Sequence, residues 1–215
     1  MLPHDPALLL IGPTGSGKTP LGDELARLGI LGRRAVHFDF GESLRRSVRR
    51  PEGLFSPVEV EFLRTVLESG ALLEPVHYPL AIKVLNRFCQ EQAVGPGEWV
   101  VLNGLPRDRA QADFFKEFVT IRAVIELVCP AEVVLARIRS NVGGDRAGRP
   151  DDYLPKIINR LRIYEERTRP LVDWYRTKGI AVVQLPVGPE TRSAELADQV
   201  LAALSAACPR LGEGQ

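Results

Sequence analysis

Gly12-Pro13-Thr14-Gly15-Ser16-Gly17-Lys18-Thr19 fits the spacing G-x-x-x-x-G-K-S/T, and its parts work together where a strand runs into a helix. Glycines let consecutive backbone N–H groups converge on phosphate oxygens, and the following helix presents the positive end of its dipole. The Lys18 ammonium would neutralise the β and γ oxygens, and the Thr19 hydroxyl can ligate Mg2+. The implied chemistry is binding of a nucleoside triphosphate by Gly12, Gly15, Ser16, Gly17, Lys18 and Thr19. Arginine is the second chemical feature. Of 28 Lys and Arg residues only Lys18, Lys83, Lys116, Lys156 and Lys178 are lysines, leaving 23 arginines. Arginine suits forked recognition of phosphate or carboxylate, yet a bias towards arginine codons explains the same excess, so position has to decide. His4, His37 and His77 show no partner pattern and read as structural or exposed.

A phosphate loop needs a strand behind it and a helix in front. Five short apolar runs alternate with segments of helical period, at residues 7–12, 34–38, 99–103, 123–128 and 180–185. This is the pattern of an α/β protein whose parallel sheet is covered by helices on both faces, a three-layer arrangement. Roughly 60 residues separate the second and third strands, more than one crossover helix needs. Helices are expected there at 57–68 and 76–92, divided by a turn at Gly70. Residues 140–150, SNVGGDRAGRP, read as a mobile loop. After it Asp151 and Asp152 offer a helix cap, Pro155 is tolerable in the first turn, Pro170 should end or kink the helix, and Gly179 should cap its end.

The 215 residues suffice for one domain. A net charge of +1 lacks the basic excess of a duplex-binding protein or a polybasic membrane anchor, so neither nucleic acid nor membrane is expected as a partner. Cys89, Cys129 and Cys208 form no C-x-x-C pair and match no zinc spacing, which points to reduced thiols in a cytoplasmic protein. The apolar run 7–11 is too short for a signal segment or a spanning helix. Balanced charge and the absence of heptads make a monomer the expectation.

Further stretches follow the loop in order. They are Phe40-Gly41-Glu42-Ser43-Leu44-Arg45; Gly70-Ala71-Leu72-Leu73; Asn103-Gly104-Leu105-Pro106-Arg107 with Gln111-Ala112; Cys129-Pro130-Ala131-Glu132 through Arg137; Gly148-Arg149-Pro150-Asp151-Asp152 with Arg160-Leu161; and Thr168-Arg169-Pro170-Leu171 to Lys178-Gly179. In this order and spacing the chain resembles the adenylate kinase family of nucleoside monophosphate kinases from Leu8 to about Leu204. The resemblance implies a P-loop kinase domain with strand order 2-3-1-4-5, an acceptor-binding insertion at 39–94 and a short lid at 138–150 without zinc-holding cysteines.

It implies the reaction ATP + AMP = 2 ADP, with Mg2+ accompanying ATP. Lys18, Arg107, Arg149 and Arg160 would surround the transferred group, and Arg137 would lie near the ATP base and phosphates. The monophosphate would meet Phe40, Gly41, Arg45, Leu73, Gly104, Arg107 and Gln111, the glutamine matching one that hydrogen-bonds adenine. Asp151 and Asp152 match that motif and are equally explained as a helix cap. Arg46, Arg49 and Arg50 read as a solvated helix face.

Three positions depart from the family. Asn103 stands where an aspartate helps hold hydrated Mg2+, so that either metal binding weakens or another carboxylate substitutes. Phe40 replaces a threonine at the acceptor base and would stack on a base or fill space. Asn141 falls where a second lid arginine is usual, a charge that Arg139 or Arg146 would have to supply. A nucleotide-binding regulatory protein on the same fold, or a kinase for CMP, UMP or another small acceptor, remains open on these grounds.

Overall fold

The computed structural model describes residues 6–144 and 153–207. The strands β1 (Pro6–Ile11), β2 (Ala35–Asp39), β3 (Trp99–Asn103), β4 (Thr120–Val128) and β5 (Ala181–Pro186) form one parallel sheet in the order β2-β3-β1-β4-β5, as expected. Side chains alternate between its faces. Ala7, Leu9 and Ile11 enter one core with Phe38, Leu85, Leu102, Leu171 and Tyr175. Leu8 and Leu10 enter the other with Leu21, Leu25, Val200 and Leu204. The helices α1 (Lys18–Leu28) and α9 (Ser193–Ala207) cover that second face. β4 starts three residues earlier than its apolar run suggests. Its pairing with β1 skips Arg122, between Ala7 opposite Ile121 and Leu8 opposite Ala123, so the bulge leaves this arginine exposed and hides the strand's start from an apolar pattern.

The segment between β2 and β3 is helical. It contains α2 (Phe40–Arg49), α3 (Pro57–Ser69), a 3-10 turn Pro75–His77 and α4 (Tyr78–Glu91). A reciprocal capping box starts α3: Ser56 accepts from the Glu59 N–H at 3.2 Å and the Glu59 carboxylate accepts from the Ser56 N–H at 2.7 Å. Gly70 ends it with φ 66°, a left-handed cap that favours glycine. The single helix expected at 76–92 is instead a 3-10 turn feeding an α-helix, because Pro79 has no N–H to donate and fits only the opening turn.

α5 (Arg109–Phe115) follows β3, and α6 (Ala131–Ser140) follows β4. After the gap in the described residues comes α7 (Leu154–Ile163), with Pro155 in its first turn and Tyr153 at the cap position without a side-chain hydrogen bond. Asp151 and Asp152, read as that cap, lie outside the described residues. Pro170 neither ends the helical path nor simply kinks it. α7 passes into one π turn, Tyr164–Thr168, where the Arg169 N–H reaches back five residues to the Tyr164 carbonyl at 2.8 Å, and Pro170 then opens α8 (Pro170–Thr177). The wider turn accommodates a residue that lacks a donor. Gly179, φ 73°, follows α8 as expected.

Candidate active site

The phosphate loop joins β1 to α1. Gly17 occupies the helix cap with φ 98°, a conformation that L side chains rarely adopt. α1 has no capping side chain and no acidic residue in its first turn, in contrast with α2, α3 and α5, which Asp39, Ser56 and Asp108 cap. Its first N–H groups are thus left for an external anion. The Lys18 ammonium folds back over the loop and donates to the carbonyls of Gly12 and Pro13, each at 2.7 Å. Ser16 is fully buried, its hydroxyl without a partner among the described residues, and a β-carbon on Gly12 would fall 2.7 Å from that oxygen. The loop is packed to its glycine.

Two strand ends converge on Thr19. Its hydroxyl donates to Asp39 Oδ2 at 2.8 Å, and the Asn103 amide donates to the same oxygen at 3.0 Å and approaches the Thr19 oxygen at 3.2 Å. Asp39 and Asn103 are paired residues of neighbouring strands. Behind them the His37 ring lies 3.5 Å from the Asn103 amide nitrogen and is held on its other side by Asp23 at 2.7 Å. Asp39 was not singled out from the sequence. It precedes the Phe40-Gly41-Glu42 motif and reads there as a helix cap, which it also is: its Oδ1 accepts from the Glu42 N–H at 2.9 Å.

An open cleft of about 240 Å³ runs from this loop to the helical insertion. Lys18, Thr19, Gly12, Gly15 and Gly17 line one end, and Gly41, Arg45, Gly104, Arg107 and Arg160 line the other. Leu44, Val66, Leu67 and Ala71 add an apolar wall. Arg45 is braced by Glu42 at 2.8 Å, while Arg46 and Arg49 point outward to Glu91 and Glu42 as a solvated face. Burial and the charge of neighbouring Arg160 push the Arg107 guanidinium down to about 10, with Asp108 opposing. That carboxylate is engaged elsewhere, Oδ1 capping α5 and Oδ2 pairing with Arg167 at 2.9 Å. Two guanidinium groups gathered this way favour an anion between them.

Of the other expected site residues, Leu73, Gln111 and Arg137 lie off the wall of this cleft, whereas Phe40 lines it. Leu73 is buried in the core, so that the cleft is met by Gly70 and Ala71 of the same turn. Phe40 is 7% exposed and packs in the core against Phe38, ring centres 6.2 Å apart, while part of it meets the cleft. Gln111 is buried behind Arg107, its Oε1 accepting from the Arg107 N–H at 2.8 Å and its Nε2 without a partner among the described residues.

Arg137 is also buried and sits behind the loop. Nε donates to the Gly15 carbonyl at 3.2 Å and Nη1 to the carbonyls of Gly188 and Thr191, both at 2.8 Å. Asn141 ends α6 as a left-handed cap, φ 49°. Arg149 and Arg146 lie outside the described residues, as does the rest of the expected lid from 145 to 150.

No protein-family model matches the chain. The adenylate kinase of Parasynechococcus marenigrum (strain WH8102) is 33% identical over 180 residues, which cover 81% of this chain and 87% of that protein. The adenylate kinase of Parvibaculum lavamentivorans (strain DS-1) is 30% identical over 178 residues, 80% of each chain. Among solved structures, a gluconokinase from Sinorhizobium meliloti 1021 superposes with a TM-score of 0.54 at 18% identity, covering 97% of this chain and 96% of that one. That likeness carries the P-loop kinase fold alone. With the phosphate loop, the arginine-lined cleft and these relatives in agreement, the chain belongs to the adenylate kinase family.

Proposed function

We propose that the protein is an ATP-dependent nucleoside monophosphate kinase with AMP as acceptor, catalysing ATP + AMP = 2 ADP. The observation that carries this reading is one cleft lined both by an anion-binding loop and by Arg45, Arg107 and Arg160, with an apolar wall suited to a flat base. An acceptor phosphate oxygen attacks the γ-phosphorus in line, the bond from the γ-phosphorus to the bridging oxygen breaks, and ADP leaves. No protein nucleophile is required; the protein orients the two phosphates and stabilises the charge between them. Gly12, Gly15, Ser16 and Gly17 hold ATP through the loop, Arg137 acting by fixing the loop's shape. Lys18, Arg107 and Arg160 surround the transferred group, joined by Arg149 from the lid 138–150, whose closure excludes water.

Mg2+ bound with ATP neutralises charge on the β and γ oxygens. The oxygen donors gathered at Thr19 suit this hard cation, and the Thr19 hydroxyl would hold it. The insertion 39–94 takes the acceptor, with Gly41, Arg45 and Arg107 on its phosphate and Phe40, Leu73 and Gly104 supporting the pocket. Gln111 favours adenine. The Arg107 N–H can only donate, so it fixes Oε1 towards itself and leaves Nε2 as a buried donor needing an acceptor. Adenine N1 and cytosine N3 accept, whereas guanine N1 and uracil N3 carry hydrogens. The reading places the protein in the cytoplasm as a monomer. Among the described residues no helix is long and apolar enough to cross a membrane.

The test is ADP formation from ATP with AMP, CMP, UMP and GMP in turn. AMP should react fastest and CMP next. ATP binding without turnover of any monophosphate would overturn the reading.

A further inference from the structure

We infer that Asp39 is the carboxylate that offsets the charge of the nucleotide-bound Mg2+, and that Asn103 is the residue that positions it. In the resemblance that identifies the site the acidic residue ends β3, where this chain has Asn103. The register places Asp39, at the end of β2, directly beside Asn103. The negative charge has therefore moved one strand across the sheet while staying at the same level.

Helix capping explains only half of Asp39. Its Oδ1 takes the Glu42 N–H. Oδ2 turns the other way, onto Thr19 at 2.8 Å, and Asp39 lines the cleft next to Thr19. Mg2+ holds oxygens at about 2.0–2.1 Å on an octahedron, so adjacent ligands stand about 2.9 Å apart. The Thr19–Asp39 separation matches such an edge, and equally allows Asp39 to act on a metal-bound water.

Asn103 is explained by the same geometry. A carboxylate oxygen only accepts, so the Asn103 amide must present its nitrogen to Asp39. An aspartate at 103 would set two like charges about 3 Å apart with no hydrogen bond between them. The Asn103 amide instead donates to Asp39 Oδ2 and holds it aimed at Thr19. The His37 ring, anchored to Asp23, closes the far side of the amide.

This assignment rests on the cleft's being an ATP site, and its test omits the acceptor. Mn2+ binding in the presence of β,γ-methylene ATP is measured by the electron paramagnetic resonance signal of free Mn2+, and metal-free analogue binding by calorimetry. Asp39→Asn should weaken Mn2+ by about 10- to 100-fold, with metal-free analogue affinity unchanged or tighter because a negative charge near the phosphates is gone. Asn is also a good helix cap, so the variant should keep its melting temperature; Asp39→Ser removes the carboxylate while keeping a cap and should give the same loss. Asn103→Asp alone should not tighten Mn2+, and Asp39→Asn combined with Asn103→Asp should recover most of the affinity. Wild-type Mn2+ affinity in Asp39→Asn, or tighter binding in Asn103→Asp alone, overturns the assignment. A protein that gives the predicted Mn2+ losses but phosphorylates no monophosphate keeps the assignment and loses the acceptor reading.

Discussion

The Arg137 guanidinium donates to the Gly15 carbonyl at 3.2 Å across 122 positions of sequence, tying the middle of the phosphate loop to α6. The same side chain holds the carbonyls of Gly188 and Thr191, so one buried arginine joins the loop, α6 and the turn before α9. Arg137→Ala should lower stability by about 2–4 kcal/mol, since it leaves buried carbonyls without donors. ATP affinity should fall with it. Arg137→Lys should recover little, because an ammonium cannot reproduce the fork. Urea unfolding and ATP calorimetry on both variants check this, and a stable Arg137→Ala with normal ATP affinity would refute the brace.

Arg107 faces the cleft and its charge is the proposed grip on the acceptor phosphate. Arg107→Ala should reduce kcat by about 100- to 1000-fold, the scale found for removing one donor to a transition-state oxyanion. Its unfolding midpoint should not fall, because burial first and the Arg160 charge second disfavour the wild-type guanidinium. A near-normal rate would remove Arg107 from the transfer step.

The depressed Arg107 value has a pH signature. Burial and the Arg160 charge lower the folded group from its ordinary value to about 10, so the unfolded chain holds more protons between about 10 and that ordinary value, and this group's contribution to stability rises with pH there. The charged form is the one that grips phosphate. Monophosphate affinity measured without ATP should therefore be full at pH 7 and decline as pH passes about 10. Arg160→Ala removes a repelling charge and should move that decline to higher pH, even as affinity falls overall. A decline that stays in place would separate the two arginines.

Gly22 lies inside α1, where a β-carbon would sit 2.4 Å from the His37 ring. Gly22→Ala should cost about 1–3 kcal/mol by overpacking and, by displacing the ring behind Asn103, should weaken Mn2+ in the nucleotide complex. Gly32→Ala, where nothing lies within 4 Å of the added carbon but φ is 73°, controls for backbone strain: it should lose stability without loosening the metal.

Phe40 meets the cleft but buries most of its ring in the core. Phe40→Thr, which restores the family's usual residue, should destabilise by about 3 kcal/mol through the cavity it opens. It should leave the order of preference among AMP, CMP, UMP and GMP unchanged. A switch in that order would put the ring in contact with the base.

The phosphate loop and the five strands were legible from residue spacing because both depend on short-range rules. A run of apolar residues buried on both faces, or glycines at fixed offsets before a Lys-Thr pair, carries its signal within a few positions. The same rules found the turns at Gly70 and Gly179 and the first-turn Pro155. They failed where a longer-range fit prevails: the Arg122 bulge, set by pairing with β1, and the π turn before Pro170.

Charge followed the same division. By itself the sequence determined that arginines dominate the basic residues, and the resemblance singled out Arg45, Arg107 and Arg160 as those that would contact phosphate. Only the tertiary structure decided that Arg137 faces backbone carbonyls, that Phe40 is mostly buried, and that the Asp39 carboxylate stands beside position 103, 64 residues away. Strand register creates that neighbourhood. Two side chains become hydrogen-bonded partners because β2 and β3 align residue for residue, a relation that no local pattern in either strand encodes.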